Sequence, residues 1–239
     1  MLNLNDVTLV SVATKDVDAS YKALKYSSRK IEFGEILFMS NKEDPQDNSI
    51  VHKKIQSFKN VADWGKFIVF ELYKHINTKF IILIHSDGFI VNPSSWDNDF
   101  LNYDFIGAPF PIPKDGRTYA DYKGNIIRVG NSVSLRSKKI LELPSKLNLN
   151  WTEYDPSYLH EDGYLSVHIR HILEKHGINF SPFRVACKFS RESSFEENRN
   201  LHPFAFHKWS GPNRKYPRFS QNDYTYIRFL KKAKRILFR

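Results

Sequence analysis

The residues best placed to do chemistry are His85-Ser86-Asp87-Gly88, which follow five consecutive apolar residues, Phe80 to Ile84. A short apolar run closed by polar and turn residues reads as a strand buried on both faces. The polar cluster then falls at the strand's carboxyl end, where open α/β sheets leave a crevice for ligands. A carboxylate at Asp87, followed by a glycine that lets the chain turn away, can hold a divalent metal and through it a diphosphate. The alternative is that Asp87-Gly88 only closes the strand as a turn.

Two further groups carry chemical potential. Glu161-Asp162 stand at the predicted start of a helix that ends near Gly177. There they either complement the helix dipole or present a general base or nucleophile to a cleft. His207-Lys208 lie in an aromatic setting, Pro203 to Trp209. His207 is either a satisfied core histidine or, with Lys208, completes a metal and diphosphate site around Asp87. His168 and His171 have metal-pair spacing but no further ligands nearby, and read as surface histidines.

These groups need elements to position them. Val7 to Ala13 reads as a first strand running into Thr14-Lys15-Asp16 at the same carboxyl edge, where Thr14 and Asp16 could contact a nucleotide base. Alternatively Asp16 caps the following helix, predicted over 17–30. Glu35 to Met39 reads as a second strand, and 40–49 as a polar loop. Residues 61–76 form one amphipathic helix leading into the central strand. Strand, helix, strand alternation predicts parallel pairing with right-handed crossovers. Tyr103 to Phe110 reads as a further strand and 111–124 as a long surface loop. Ile126 to Ser137 reads as a strand broken at Gly130-Asn131, where the backbone either turns towards a ligand or forms a simple bulge, with a helix starting near Ser137.

Composition bounds the class. The 239 residues suit one large α/β domain, and 41% hydrophobic residues can build its core. The single cysteine, Cys187, excludes a disulfide framework and a cysteine-rich zinc site and points to a cytoplasmic compartment. No stretch reaches the roughly 20 apolar residues of a membrane span, and no signal peptide is expected at the amino terminus. The net charge of +10 is concentrated: residues 214–239 hold nine Lys or Arg and one acid, leaving 27 basic against 25 acidic residues before them. A nearly neutral body argues against a nucleic-acid-binding face.

The order of several short motifs resembles a glycosyltransferase family widespread in bacterial polysaccharide loci, over about residues 5–210. They are Ser86-Asp87-Gly88 with Asn92-Pro93 and Trp96, Tyr103 to Pro109, Val129-Gly130-Asn131 with Ser134 to Ser137, Glu161-Asp162, and Pro203 to His207. The resemblance implies a single Rossmann-like GT-A domain with a mostly parallel central sheet flanked by helices, over 1–213. It also implies a nucleotide-sugar donor, UDP-sugar favoured, at the carboxyl edge. Asp87 matches an Asp-x-Asp-like motif that holds Mn2+ or Mg2+, although His85 stands where a second acid is usual. His207 matches a late histidine that contacts metal or phosphate. Glu161 and Asp162 match an acidic pair near the acceptor, either of them the expected base. Ser86, Gly130, Asn131 and Lys208 complete the expected donor site, although Ser132-Val133 stand where the family usually has two glycines.

The expected reaction is displacement of a nucleoside diphosphate from an anomeric carbon by a hydroxyl of a lipid-linked or polysaccharide acceptor, in making a bacterial surface glycan such as lipopolysaccharide. The segment 214–239 reads as a basic amphipathic tail, and within it Tyr226 to Arg239 reads as a helix with Ile227, Leu230, Ala233 and Leu237 at helical spacing. Such a helix either lies on an anionic membrane at the inner face of the plasma membrane or packs on the body or a second subunit of a homo-oligomer. A metal-dependent phosphoesterase and an inactive membrane-docked scaffold are the alternative functions.

Overall fold

A computed structural model describes residues 1–113, 119–151 and 160–219, without the side chains of 131 and 132. The central sheet has six strands: β1 (Leu2–Ala13), β2 (Ile31–Ser40), β3 (Val51–Lys54), β4 (Phe80–Ile84), β6 (Phe105–Pro109) and β7 (Val129–Ser137), in the order β3-β2-β1-β4-β7-β6. The pairs β1–β2, β2–β3 and β1–β4 are parallel, and β7 runs antiparallel to both β4 and β6. The sheet is therefore mostly parallel, as predicted.

Burial explains why β4 is a continuous apolar run. Ile82 and Ile84 pack with Leu9 in one core, and Ile81 and Leu83 pack with Val10, Val12 and Leu37 in another. Ile81 to Ile84 are all fully buried, and alternation along the strand sends them to opposite faces. One face carries α1 (Val17–Ser27), whose Ala23 and Leu24 join the Leu9 core. The other carries α2 (Val61–Phe70), whose Ile68 joins the Val10 core. The Asn60 side chain accepts a hydrogen bond from Asp63 N (2.8 Å) and starts α2, an N-cap that fixes the helix entry. Where a single helix over 61–76 was predicted, α2 ends at Phe70 and the chain continues as a 3-10 turn over Leu72–His75. α3 (Lys138–Lys146) starts where predicted, with the Ser137 hydroxyl accepting from Ile140 N (3.2 Å).

A second, three-stranded sheet positions the site. β5 (Gly88–Ile90) pairs antiparallel with β9 (Ala205–His207), and β9 pairs parallel with β8 (Ser190–Arg191). Gly88 is the register partner of His207. This brings the residue after β8, Glu192, and the ends of β5 and β9 to one place. α4 (Glu161–Gly163) leads through a π-helical turn, Tyr164–His168, into α5 (Arg170–Lys175), and α6 (Phe183–Phe189) leads into β8. Gly177, at φ +75°, follows that helical segment as predicted.

The strand predicted to break at Gly130-Asn131 continues through both, but its register against β6 shifts there, from Ser134 opposite Gly107 to Val129 opposite Pro109, which is the bulge alternative. Gly130, at φ +139°, is required by close packing: a Cβ there would lie 1.9 Å from Ser166 Oγ. Beyond residue 213, Tyr216 and Phe219 still pack on the Leu9 core. The helix predicted over 226–239 lies outside the described residues.

Candidate functional site

A cleft of about 650 Å³ opens at the carboxyl ends of β1 and β4. The strand order reverses between these two strands, because the chain proceeds from β1 to β2 on one side and returns to β4 on the other. That is the switch point at which open α/β sheets bind ligands. Thr14 and Asp16 after β1, Ser86 and Asp87 after β4, Glu161 at the start of α4, His207 at the end of β9 and Lys208 just after it all line it. The sequence reading thus identified residues from four distant segments that meet in one cavity.

The turn after β4 is tight. His85 N donates to Gly88 O (2.7 Å) and Gly88 N donates to His85 O (3.3 Å). Asp87-Gly88 is therefore the turn it was alternatively read as, and the same turn points Asp87 into the cleft. Gly88 is needed for the close approach of β9, since a Cβ would lie 2.7 Å from His207 Cδ2. On the β1 side, Asp16 holds the N-cap position of α1, at φ +50°, but its side chain makes no capping hydrogen bond there. Thr14 Oγ1 accepts from Phe58 N (3.2 Å). Trp64 donates its indole N–H to Val12 O (2.9 Å) and sets its ring against His85, 5.4 Å between centroids. A flat aromatic wall thus stands beside the polar end of the cleft.

His207 is the centre of the charged end. Its Nε2 lies 3.4 Å from Asp87 Oδ1, and its Nδ1 donates to Glu192 Oε2 (2.8 Å). Lys208 Nζ donates to the other oxygen, Glu192 Oε1 (2.6 Å). Burial disfavours charge on His207, but the two carboxylates outweigh it and raise its pKa to about 10. Burial likewise opposes ionisation of Asp87 and Glu192; His207 wins for both, with help from Lys208, holding Asp87 well below the carboxylate range and Glu192 at about 2. Two carboxylates and two cations therefore neutralise one another.

The acidic pair divides. Glu161 reaches the cleft wall, but its carboxylate accepts from Arg136 Nη2 (2.7 Å) in a buried ion pair. Arg136 is completely buried and also donates to Ser134 Oγ (2.9 Å), and its Nη1 has no hydrogen-bond partner among the described residues. Asp162 does not line the cleft. It is buried, its Oδ1 accepts from Gly163 N (2.7 Å), and burial reinforced by Glu161 raises its pKa to about 8. Gly130 is likewise not among the lining residues, and the Asn131 side chain lies outside the described residues. His168 and His171, read as surface histidines, are both half-buried.

Sequence reasoning missed Glu192, Arg136 and Trp64. Glu192 follows a two-residue strand and gains its role from His207, 15 residues away, so no local pattern marks it. Arg136 sits in a strand whose buried faces predict apolar residues.

The residues can accommodate a divalent ion held jointly with a diphosphate. Asp87 Oδ1 and His207 Nε2 face each other, and His207 gives its other ring nitrogen to a carboxylate, the arrangement that orients metal-binding histidines, with the metal taking the place of the proton on Nε2. Among the described residues no group of three or more His, Cys, Asp or Glu surrounds one point, so they supply no complete cage. Magnesium-type ions need none when phosphate oxygens and water complete their shell.

Sheet order and the antiparallel β7 define a GT-A-like α/β fold, and this is the fold of solved glycosyltransferases. A galactosyltransferase, LgtC, in complex with donor and acceptor sugar analogues superposes with a TM-score of 0.52 at 11% identity, covering 86% of this chain and 87% of that one. An active-site mutant of LgtC gives 0.50 at 11% identity, covering 95% of each chain. No curated protein matches in sequence. By sequence the chain belongs to the family described as protein of unknown function DUF5672, which matches residues 49–207.

Proposed function

We propose that the protein is a glycosyltransferase that binds a nucleotide-sugar, UDP-sugar favoured, in the cleft at the β1–β4 switch point. The observation that carries this reading is the convergence of Thr14, Asp16, Ser86, Asp87, His207 and Lys208 on that one cleft. The similar galactosyltransferase was solved with donor and acceptor sugar analogues, which agrees with a donor and an acceptor as ligands.

In this reading the nucleoside lies at the Thr14 and Asp16 end against Trp64, and the diphosphate lies at the Asp87, His207 and Lys208 end. An acceptor hydroxyl attacks the anomeric carbon, the bond from that carbon to the diphosphate oxygen breaks, and the nucleoside diphosphate leaves with the electron pair. Cationic groups fixed beside the leaving oxygens stabilise the developing charge without reorganising, and His207 and Lys208 fill this role. A bound Mn2+ or Mg2+, held by Asp87 and by His207 once its Nε2 has given up the proton, would supply charge neutralisation in place of the His207 cation. Glu161 is fixed by Arg136 and shapes the cleft wall. Asp162 lies behind that wall with its carboxyl held protonated by burial, so the acceptor proton passes to an oxygen of the departing diphosphate.

The acceptor we favour is a lipid-linked or polysaccharide glycan at a cytoplasmic membrane face, with the basic segment 214–239 as the membrane contact. Release of UDP from a panel of UDP-sugars, measured with and without Mn2+, tests the reaction. Release that Asp87→Ala abolishes supports the assignment; release that Asp87→Ala leaves intact removes it.

A further inference from the structure

Resting on the transferase reading, we infer that Glu192 is the positioning residue of the diphosphate end of the cleft, seating His207 and Lys208 together for an anionic ligand. Its two oxygens are divided between them: Oε2 accepts from His207 Nδ1 (2.8 Å) and Oε1 accepts from Lys208 Nζ (2.6 Å). The carboxylate is largely buried, with 14% of its side chain exposed, whereas the Lys208 side chain is 54% exposed. The acid thus lies behind the residues that line the cleft, and the cation it holds is one of those that line it.

Lys208 keeps capacity for a ligand: an ammonium has three donors, of which Glu192 uses one. His207 is held in place between both carboxylates, with Nδ1 on Glu192 and Nε2 directed at Asp87. The backbone around them is also built for this placement. Lys208 adopts φ +61°, a conformation that costs a non-glycine residue free energy and persists only where its surroundings enforce it. They do so here: Lys208 N donates to Asp87 O (2.8 Å), the fully buried Asn213 donates to Lys208 O (3.1 Å) and Arg191 O (2.9 Å), and Ser210 Oγ donates to Glu192 O (2.7 Å). The strain is located at the residue whose ammonium enters the cleft.

Inorganic pyrophosphate titrated calorimetrically in the presence of Mn2+ tests the inference, with melting temperature recorded for each variant. Glu192→Gln is expected to weaken binding about 10- to 100-fold, as loss of an orienting partner does, while the variant still melts cooperatively. Lys208→Met should weaken binding in the wild-type background and cost much less in the Glu192→Gln background, because Glu192 already determines where Lys208 sits. Unchanged affinity in Glu192→Gln, or losses that simply multiply in the double variant, would overturn the inference. If Glu192→Gln does not fold, Glu192→Asp, which keeps the charge and shortens its reach, is judged by the same two criteria. Wild-type protein that fails to bind pyrophosphate removes the transferase reading itself; wild-type binding matched by the variants removes only the role of Glu192.

Discussion

Arg136 and Glu161 show how much a single buried pair can determine. Their side chains are almost completely hidden, so neither charge has water as an alternative partner. Arg136→Met should destabilise the protein by about 3–5 kcal/mol, because it leaves the Glu161 carboxylate buried and unpaired. Chemical denaturation measures this, and the double variant Arg136→Met/Glu161→Gln should recover part of the loss. Asp162 has the opposite character. Its carboxyl is raised from 3.8 to about 8, so the native state favours its protonated form while the unfolded chain ionises near pH 4. The stability it contributes is present below about pH 4 and is lost as pH rises towards 8. Asp162→Asn keeps an acceptor for Gly163 N and should flatten the decline of melting temperature across that window; an unchanged slope would show that the group does not titrate there. None of this was legible in Glu161-Asp162 as two adjacent acids. Sequence placed them at a helix start, and only packing against β7 decides that one is paired and the other neutral.

At the scale of elements, the small β5–β9–β8 sheet brings the site together. Gly88→Ala places a methyl 2.7 Å from both His207 Cδ2 and Val133 Cγ2, so β9 must move away from the Asp87 turn. The expected cost is about 1–3 kcal/mol of stability, together with weakened diphosphate binding; a crystal structure or binding measurement on the variant would reveal either. β4 was legible because burial on both faces writes a continuous apolar run. β3 was not, since Val51–Lys54 is a short, partly exposed edge strand with polar residues. β5, β8 and β9, of two or three residues each, are too short for any periodicity to mark. Gly130 was legible as a special position, and the register shift of β7 against β6 and the approach of Ser166 both fall there.

At the scale of the molecule, the order of the sheet explains why residues from four distant segments meet. Parallel strands with crossovers send the loops after β1 and β4 to one edge, and the reversal of order between them opens the cleft there. The second sheet then closes the cleft's far end with two cations and two carboxylates. The central claim is that this cleft receives a nucleotide-sugar. Calorimetry with UDP, GDP, CMP and TDP and their sugars, each with and without Mn2+, tests it most directly. The account predicts selective binding of one nucleotide, UDP favoured, strengthened by Mn2+ and lost in Asp87→Ala. Binding of none of them by the wild-type protein would contradict it.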